Sequence, residues 1–486
     1  MNEERSLSGA KVAIIGLGVS GAAAARLALA KGGEVYVSDL RTDAPAAAGG
    51  AELRALGADV EWGRHDVERV ARADLVVVSP GIPPQAPVLR KLARRGVPWI
   101  SEPEFAVRFY RGQLIAVTGT NGKTTTAVLT AHLLESAGIP VALGGNVGAS
   151  LAPAASELAL RDPAPDWYVL EISSFQLGAV ERLRPDVGVV TNLAPDHLDY
   201  YASVEAYYAD KANLFRNADE TSRWVLPAGD AAVAELAGDA PGQRHFFGWD
   251  PEAGTGVGAA AGRGTGDGAG SGTGAEAAAT PAGMDAFVRD GVMALRGAAA
   301  EVPLIPVEAF PLLGRHNVMN ALAASLTASV AGAPAEALRN GLRRAAPLPH
   351  RLEPVAERDG VLWVNDSKAT NVAAACSAVR SMSRPVVLLL GGQDKGEDFS
   401  PLLEAMEGVR AVVVYGAAAG RIAAALEHAA PVTRVEGGLE AVVAEAARMA
   451  RPGDVVLLAP ACSSFDMFRN YEERGRTFRA LVEERS

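Results

Sequence analysis

Two cysteines, Cys376 and Cys462, are all that this chain of 486 residues contains. That excludes a disulfide framework and a cysteine zinc cluster, and a reduced, cytoplasmic setting is expected. Positive charge is also short: 46 Lys and Arg face 57 Asp and Glu, a formal net charge of −11. General affinity for nucleic acid or an anionic membrane is thereby excluded, and any anionic substrate must be held by local positive charge. No apolar run approaches the roughly 20 residues needed to cross a bilayer. A signal peptide is not expected, since Glu3 and Glu4 stand where its positive region would be and Arg26 interrupts the Ala-rich stretch. What is plentiful is hydrophobic material, 49% of the residues, enough for several cores in about three domains.

Apolar runs alternating with helical patterns predict an α/β protein with parallel sheets. Three blocks can be read, 1–107, 108–346 and 347–486. The first and third are Rossmann-like, and the central one is of the phosphate-loop ATPase type. One stretch stands apart. Residues 251–283 are nearly all Gly, Ala, Thr and Ser, with one Val and no Leu, Ile or aromatic residue. It cannot bury enough apolar area to offset its ordering entropy, and the composition predicts a disordered insertion at a loop tip between strands. Asp290-Gly291 just beyond it predicts a hairpin turn.

Residues 115–126, Ile-Ala-Val-Thr-Gly-Thr-Asn-Gly-Lys-Thr-Thr-Thr, carry the most chemical information. A buried strand opens into a Gly-rich loop and then a helix, which predicts a triphosphate-binding loop. Gly119 and Gly122 let backbone N–H groups turn toward phosphate oxygens. Lys123 can neutralise the β- and γ-phosphates, and the Thr124 hydroxyl can ligate Mg²⁺. Val117 replaces the first Gly of the usual pattern, so the loop is a shorter variant. Glu171, at the end of a later apolar strand, stands where such proteins place an acidic metal partner. Asp196, His197 and Asp199 cluster at another strand exit, and Lys211 reads on composition as a surface lysine.

Gly16-x-Gly-x-x-Gly21 followed by Asp39 fits a dinucleotide fingerprint, and on its own suggests NAD. Arg41, two residues on, favours a further anion. In the third block, residues 365–371, 391–396 and 460–466 each follow an apolar strand with Lys, glycines, hydroxyls or amides. Three such exits at one rim predict a site for an anionic substrate.

Taken together, Gly-Thr-Asn-Gly-Lys-Thr, Asp196-His-Leu-Asp199, Leu313-Gly-Arg-His-Asn317 and Pro349-His-Arg351 resemble the Mur ligases and their folylpolyglutamate synthetase relatives. Ser173-Ser-Phe-Gln-Leu177, Asn365-Asp-Ser-Lys-Ala-Thr-Asn371 and Ser463-Ser-Phe-Asp466 resemble the branch that adds D-glutamate. The resemblance covers the chain apart from the Gly/Ala insertion. It implies an ADP-forming amide ligase of peptidoglycan precursor synthesis, with UDP-N-acetylmuramoyl-L-alanine, D-glutamate and ATP as substrates. The first domain would hold UDP rather than NAD, through Gly18, Val19, Ser20, Gly21, Asp39, Arg41 and Ser79, with Asn146 contacting the muramoyl part.

ATP would be bound by Gly119, Thr120, Asn121, Gly122, Lys123, Thr124 and Thr125, with Asn317, Asn320, Arg351 and Asp366. The implied Mg²⁺ ligands are Thr124, Glu171, His197 and Lys211, the lysine as a CO₂-derived carbamate, and Lys123, His197 and Lys211 would be catalytic. Lys368, Thr370, Lys395, Ser464, Phe465 and Tyr471 would hold D-glutamate, with closure of the third domain completing the site. No nucleic-acid or membrane partner is expected, and the working unit is expected to be a monomer. An NAD-binding oxidoreductase leaves the phosphate loop unexplained, and a nucleotide switch leaves the third block unexplained.

Overall fold

The computed structural model describes residues 6–42, 44–148, 150–196, 200–249, 283–298, 300–394 and 396–484. Among them the backbone builds three sheets. Lys11–Ile15 (β1), Glu34–Asp39 (β2), Asp59–Trp62 (β3), Leu75–Val78 (β4) and Ile100–Ser101 (β5) form the first, parallel throughout in the order β3-β2-β1-β4-β5. Strand order reverses between β1 and β4, and ligands of such sheets sit outside the strand ends at that reversal. Strands covered on both faces must be apolar on both, and residues 12–15 and 76–78 are accordingly at most 7% exposed.

The second sheet comprises Gln113–Thr118 (β6), Val141–Gly145 (β7), Trp167–Glu171 (β8), Val187–Val190 (β9), Arg223–Pro227 (β10), Gln243–Trp249 (β11), Ala286–Arg289 (β12), Val292–Arg296 (β13) and Glu301–Pro306 (β14). Its order is β14-β13-β12-β11-β10-β9-β6-β8-β7. β6 to β12 are parallel, and β12, β13 and β14 form an antiparallel meander. Asp290 (φ 51°) and Gly291 (φ 74°) turn the chain between β12 and β13, as a two-residue hairpin requires. The expected disordered stretch 251–283 lies, except for Gly283, outside the described residues. The strands on either side of it, β11 and β12, pair in parallel. Parallel neighbours cannot be joined by a tight hairpin.

The third sheet is built from Glu353–Arg358 (β15), Val361–Asn365 (β16), Val386–Gly391 (β17), Val409–Tyr415 (β18), Val432–Arg434 (β19) and Val455–Leu458 (β20), in the order β15-β16-β20-β17-β18-β19. Only β15 runs antiparallel to its neighbour. Because β16, β20 and β17 are adjacent and parallel, the three polar loops singled out in this block leave the sheet side by side.

The chain separates into two compact units, 1–307 with 319–342, and 308–318 with 343–486. The first holds the first two sheets and the second holds the third. Within the first unit a buried carboxylate joins its two halves. Glu104, on the short helix Glu102–Val107, is fully buried and accepts from the amides of Arg182 and Leu183 (3.1 and 2.8 Å) and from Arg108 (3.0 Å). No helix among the described residues is long and apolar enough to cross a membrane.

Candidate active site

Two glycines shape the phosphate loop between β6 and the helix Lys123–Ser136. Gly119 (φ 136°) and Gly122 (φ 82°) adopt backbone angles that L side chains avoid. A Cβ on Gly122 would fall on Asn320 Oδ1, and one on Gly119 on Thr191 Oγ1. The loop is also held from outside. Thr120 N donates to Asn192 O (2.9 Å), Asn121 N to Asn192 Oδ1 (3.0 Å) and Thr191 Oγ1 to Asn121 O (2.6 Å). Lys123 Nζ folds over the loop onto Thr120 O at 2.7 Å. A glycine loop at a helix N-terminus with an adjacent ammonium has the donors and the charge to take a phosphate.

Behind the loop, Thr124 Oγ1 donates to Glu171 Oε2 at 2.6 Å, with both residues buried. Register explains the meeting: β8 lies between β6 and β7, so Glu171 is flanked by Val117 and Gly145. Asn146 follows directly, its N–H on Glu171 O (2.9 Å) and its Nδ2 on Glu171 Oε1 (3.4 Å). Buried hydroxyl and carboxylate oxygens this close are the donor set that Mg²⁺ takes. Of the expected ligands, His197 lies outside the described residues. No group of three or more His, Cys, Asp or Glu gathers as a metal site among the described residues.

Lys211 overturns its surface reading. It sits on the helix Val204–Ala212 and is 1% exposed. Its Nζ donates to Gly119 O at 2.7 Å and lies 4.5 Å from the Tyr207 ring centroid. Burial, and then the charge of Lys123, push the ammonium down to about 6, against the pull of Asp196, Glu171 and Asp210. Sequence reasoning missed Tyr207, whose hydroxyl lies 3.2 Å from Thr120 Oγ1. Its position four residues before Lys211 was the available signal.

In the first sheet, the turn after β1 is clamped by Asp39. Leu17 N donates to Asp39 Oδ2 (2.6 Å), Arg41 N to Oδ1 (2.8 Å) and Arg41 Nη2 to Oδ2 (3.1 Å). Burial would raise this carboxyl, but Arg41 and the Leu17 amide hold it below the usual value. Ser79 Oγ donates to Gly16 O at 3.0 Å, and a Cβ on Gly21 would strike that same carbonyl. Gly18 caps the helix Val19–Ala30, which carries Ser20 and Gly21 in its first turn. Val19 and Leu40 expose apolar surface beside the turn. A cleft of about 170 Å³ runs from Ser79 past Ile82, Trp99, Phe175 and Tyr200 to Asp210, the neighbour of Lys211.

In the second unit the three exits are stitched together. Ala461 N donates to Ala369 O (2.9 Å), Gly391 N to Pro460 O (2.9 Å), and Gln393 and Ser463 exchange backbone bonds (2.9 and 3.1 Å). Lys368 Nζ stands 4.0 Å over the Tyr471 ring. Thr370 is half-buried, Ser464 is buried and Phe465 is 68% exposed, while Lys395 lies outside the described residues. Arg351 is flanked by two non-glycine residues at positive φ, His350 (64°) and Leu352 (41°), a strain that collects at functional sites. Asp366 accepts from Leu352 N (3.2 Å), and burial pushes its carboxyl up to about 7. Asn317 bonds Leu313 O (2.7 Å) in this unit, whereas Asn320 belongs to the first and lies 3.4 Å from Thr126 Oγ1. The sequence reading also passed over Arg474, fully buried beneath all three exits.

Comparison with known proteins covers every block. Residues 10–101 match the model of a Mur ligase MurD-like N-terminal domain, 117–265 the Mur ligase middle domain and 350–462 the Mur ligase glutamate ligase domain. The UDP-N-acetylmuramoylalanine--D-glutamate ligase of Anaeromyxobacter dehalogenans is 42% identical over 487 aligned positions, covering 99% of each chain. The ligase of the same name from Acidobacterium capsulatum is 41% identical, covering 98% of this chain and 96% of its own. Among solved structures, a pseudomurein peptide ligase type C from Methanothermus fervidus superposes with a TM-score of 0.60 at 19% identity, covering 98% of this chain and 100% of its own. The UDP-N-acetylmuramate-alanine ligase of Thermotoga maritima does so at 0.58 and 19%, with the same coverage. These two likenesses show the fold.

Proposed function

The chain belongs to the Mur ligase family, and we propose on that premise that it adds D-glutamate to UDP-N-acetylmuramoyl-L-alanine with ATP, in peptidoglycan precursor synthesis. One observation carries the reading: ligases of that name align along 98–99% of this chain at 41–42% identity. The domains we assign are 1–107 for the UDP-sugar, 108–346 for ATP and 347–486 for the amino acid. We assign the reaction to the cytoplasm and to the monomer.

The roles we assign are those that the resemblance implies. Residues 119–125 cradle the ATP phosphates, aided by Asn317, Asn320, Arg351 and Asp366. The Gly18–Gly21 turn, Asp39, Arg41 and Ser79 hold the UDP, and Asn146 contacts the muramoyl part. Lys368, Thr370, Lys395, Ser464, Phe465 and Tyr471 receive D-glutamate. Mg²⁺, held by Thr124 and Glu171 with His197 and carbamylated Lys211, would supply positive charge against the phosphates. The low ammonium pKa of Lys211 supports the carbamate: a neutral amine adds CO₂, forming an N–C bond and releasing a proton.

In the first step the L-alanyl carboxylate attacks the γ-phosphorus, ADP leaves and an acyl phosphate forms. Lys123 neutralises charge on the transferring group, and the rigid loop holds it in line. The D-glutamate amine then attacks the acyl carbon, loses a proton and expels phosphate. ADP release should require both UDP-N-acetylmuramoyl-L-alanine and D-glutamate, with L-glutamate, L-lysine and meso-diaminopimelate inactive. Release with another amino acid would move the chain elsewhere among Mur ligases, and release with ATP alone would defeat the reading.

A further inference from the structure

Arg474 lies in the first turn of the helix Tyr471–Glu483, three residues after Tyr471, and none of it is exposed. Its guanidinium reaches all three strand exits. Nε donates to Ser367 Oγ (3.0 Å) and Nη2 to Ser367 O (2.9 Å), at the β16 exit. Nη1 and Nη2 donate to Cys462 O (3.2 Å each) and Nη1 to Ser463 O (3.4 Å), at the β20 exit. Nη1 also reaches Gly391 O (3.4 Å), where the β17 exit begins. Ser367 immediately precedes Lys368, and Ser463 immediately precedes Ser464.

The acceptors are carbonyls and one hydroxyl. Among the described residues no carboxylate forms an ion pair with Arg474. A buried positive charge is ordinarily matched by a carboxylate, because carbonyl dipoles compensate it only in part. The uncompensated remainder lies beneath a rim that already presents Lys368. The same helical turn sets that lysine, since the Tyr471 ring stacks under it and Ser367 Oγ donates to Tyr471 O at 2.8 Å.

We propose that Arg474 is the positioning residue of this rim: its guanidinium fixes the three loops to one another and supplies the fixed positive charge that draws an amino acid carrying two carboxylates. The proposal rests on the reading of the rim as the D-glutamate site. Arg474→Lys keeps the charge and gives up most of the donors, whereas Arg474→Gln gives up the charge as well. The KM for D-glutamate should rise roughly tenfold or more in the lysine variant and further in the glutamine variant. The KM for the UDP-sugar should stay within about twofold, because none of its assigned contacts lies on a loop that this guanidinium bonds. In amide exchange, residues 367–371, 392–394 and 459–466 should lose protection together, with the β17 and β20 strands still protected.

An unchanged D-glutamate KM would overturn the proposal, as would loss of only one loop's protection. Parallel loss of all three substrates and of the melting transition in both variants would reduce Arg474 to a staple of the fold. A wild-type protein without D-glutamate-dependent ADP release would sink the ligase reading instead, and the exchange measurement would still decide whether Arg474 clamps the loops.

Discussion

Replacing Lys211 with methionine should make the protein more stable near neutrality and less sensitive to pH, while abolishing turnover. The folded ammonium is pushed down to about 6 from an ordinary 10.5. Between those values the unfolded chain binds the extra proton, so wild-type stability rises with pH through this window and the penalty is greatest below it. Linkage puts the cost of the buried amine at about 5 kcal/mol at pH 7 and about 2 kcal/mol at pH 9. Methionine removes that cost but leaves Gly119 O without its 2.7 Å donor, which takes back about 1–3 kcal/mol. The variant should therefore exceed the wild type by roughly 2–4 kcal/mol at pH 7, with the gap shrinking by about 1.4 kcal/mol per pH unit. Urea unfolding in CO₂-depleted buffer, followed by tryptophan fluorescence from the buried Trp224 and Trp167 of the same unit, measures the gap at each pH. Parallel stability profiles, or a variant less stable throughout, would refute the claim that this amine is held neutral by burial.

Three further outcomes follow from the same geometry. Lys211→Ala should lose most activity, with formate or acetate partly restoring it; turnover equal to wild type would sink the carbamate assignment. Gly122→Ala must adopt φ 82° with its Cβ on Asn320 Oδ1, so ATP binding by titration calorimetry should weaken by roughly tenfold or more, and wild-type affinity would contradict the loop geometry. Replacing residues 251–282 with about a dozen Gly/Ser residues should leave the melting temperature and activity unchanged, whereas a direct join should not fold, because β11 and β12 are parallel and need a crossover; a stable direct join would show the register to be wrong.

Local residue patterns were enough to fix the repeating strand-and-helix architecture and the location of the chemistry. Parallel strands announce themselves as uninterrupted apolar runs, and glycines at forced backbone angles mark the loops that follow β1 and β6. The three polar exits of the third block could likewise be named in advance, as local patterns of glycine, lysine and hydroxyl. Tertiary structure decided what depends on which strands are neighbours. Only the order β16-β20-β17 puts those exits side by side, and only the placement of β8 between β6 and β7 brings Glu171 to Thr124 and Asn146. Lys211 and Arg474 look like surface charges in a linear reading, because charged side chains far from any motif are ordinarily solvated. Their burial comes from packing against loops some 90 and 107 residues distant in the chain, and that packing sets the charge state of the lysine and leaves the arginine's charge beneath the rim.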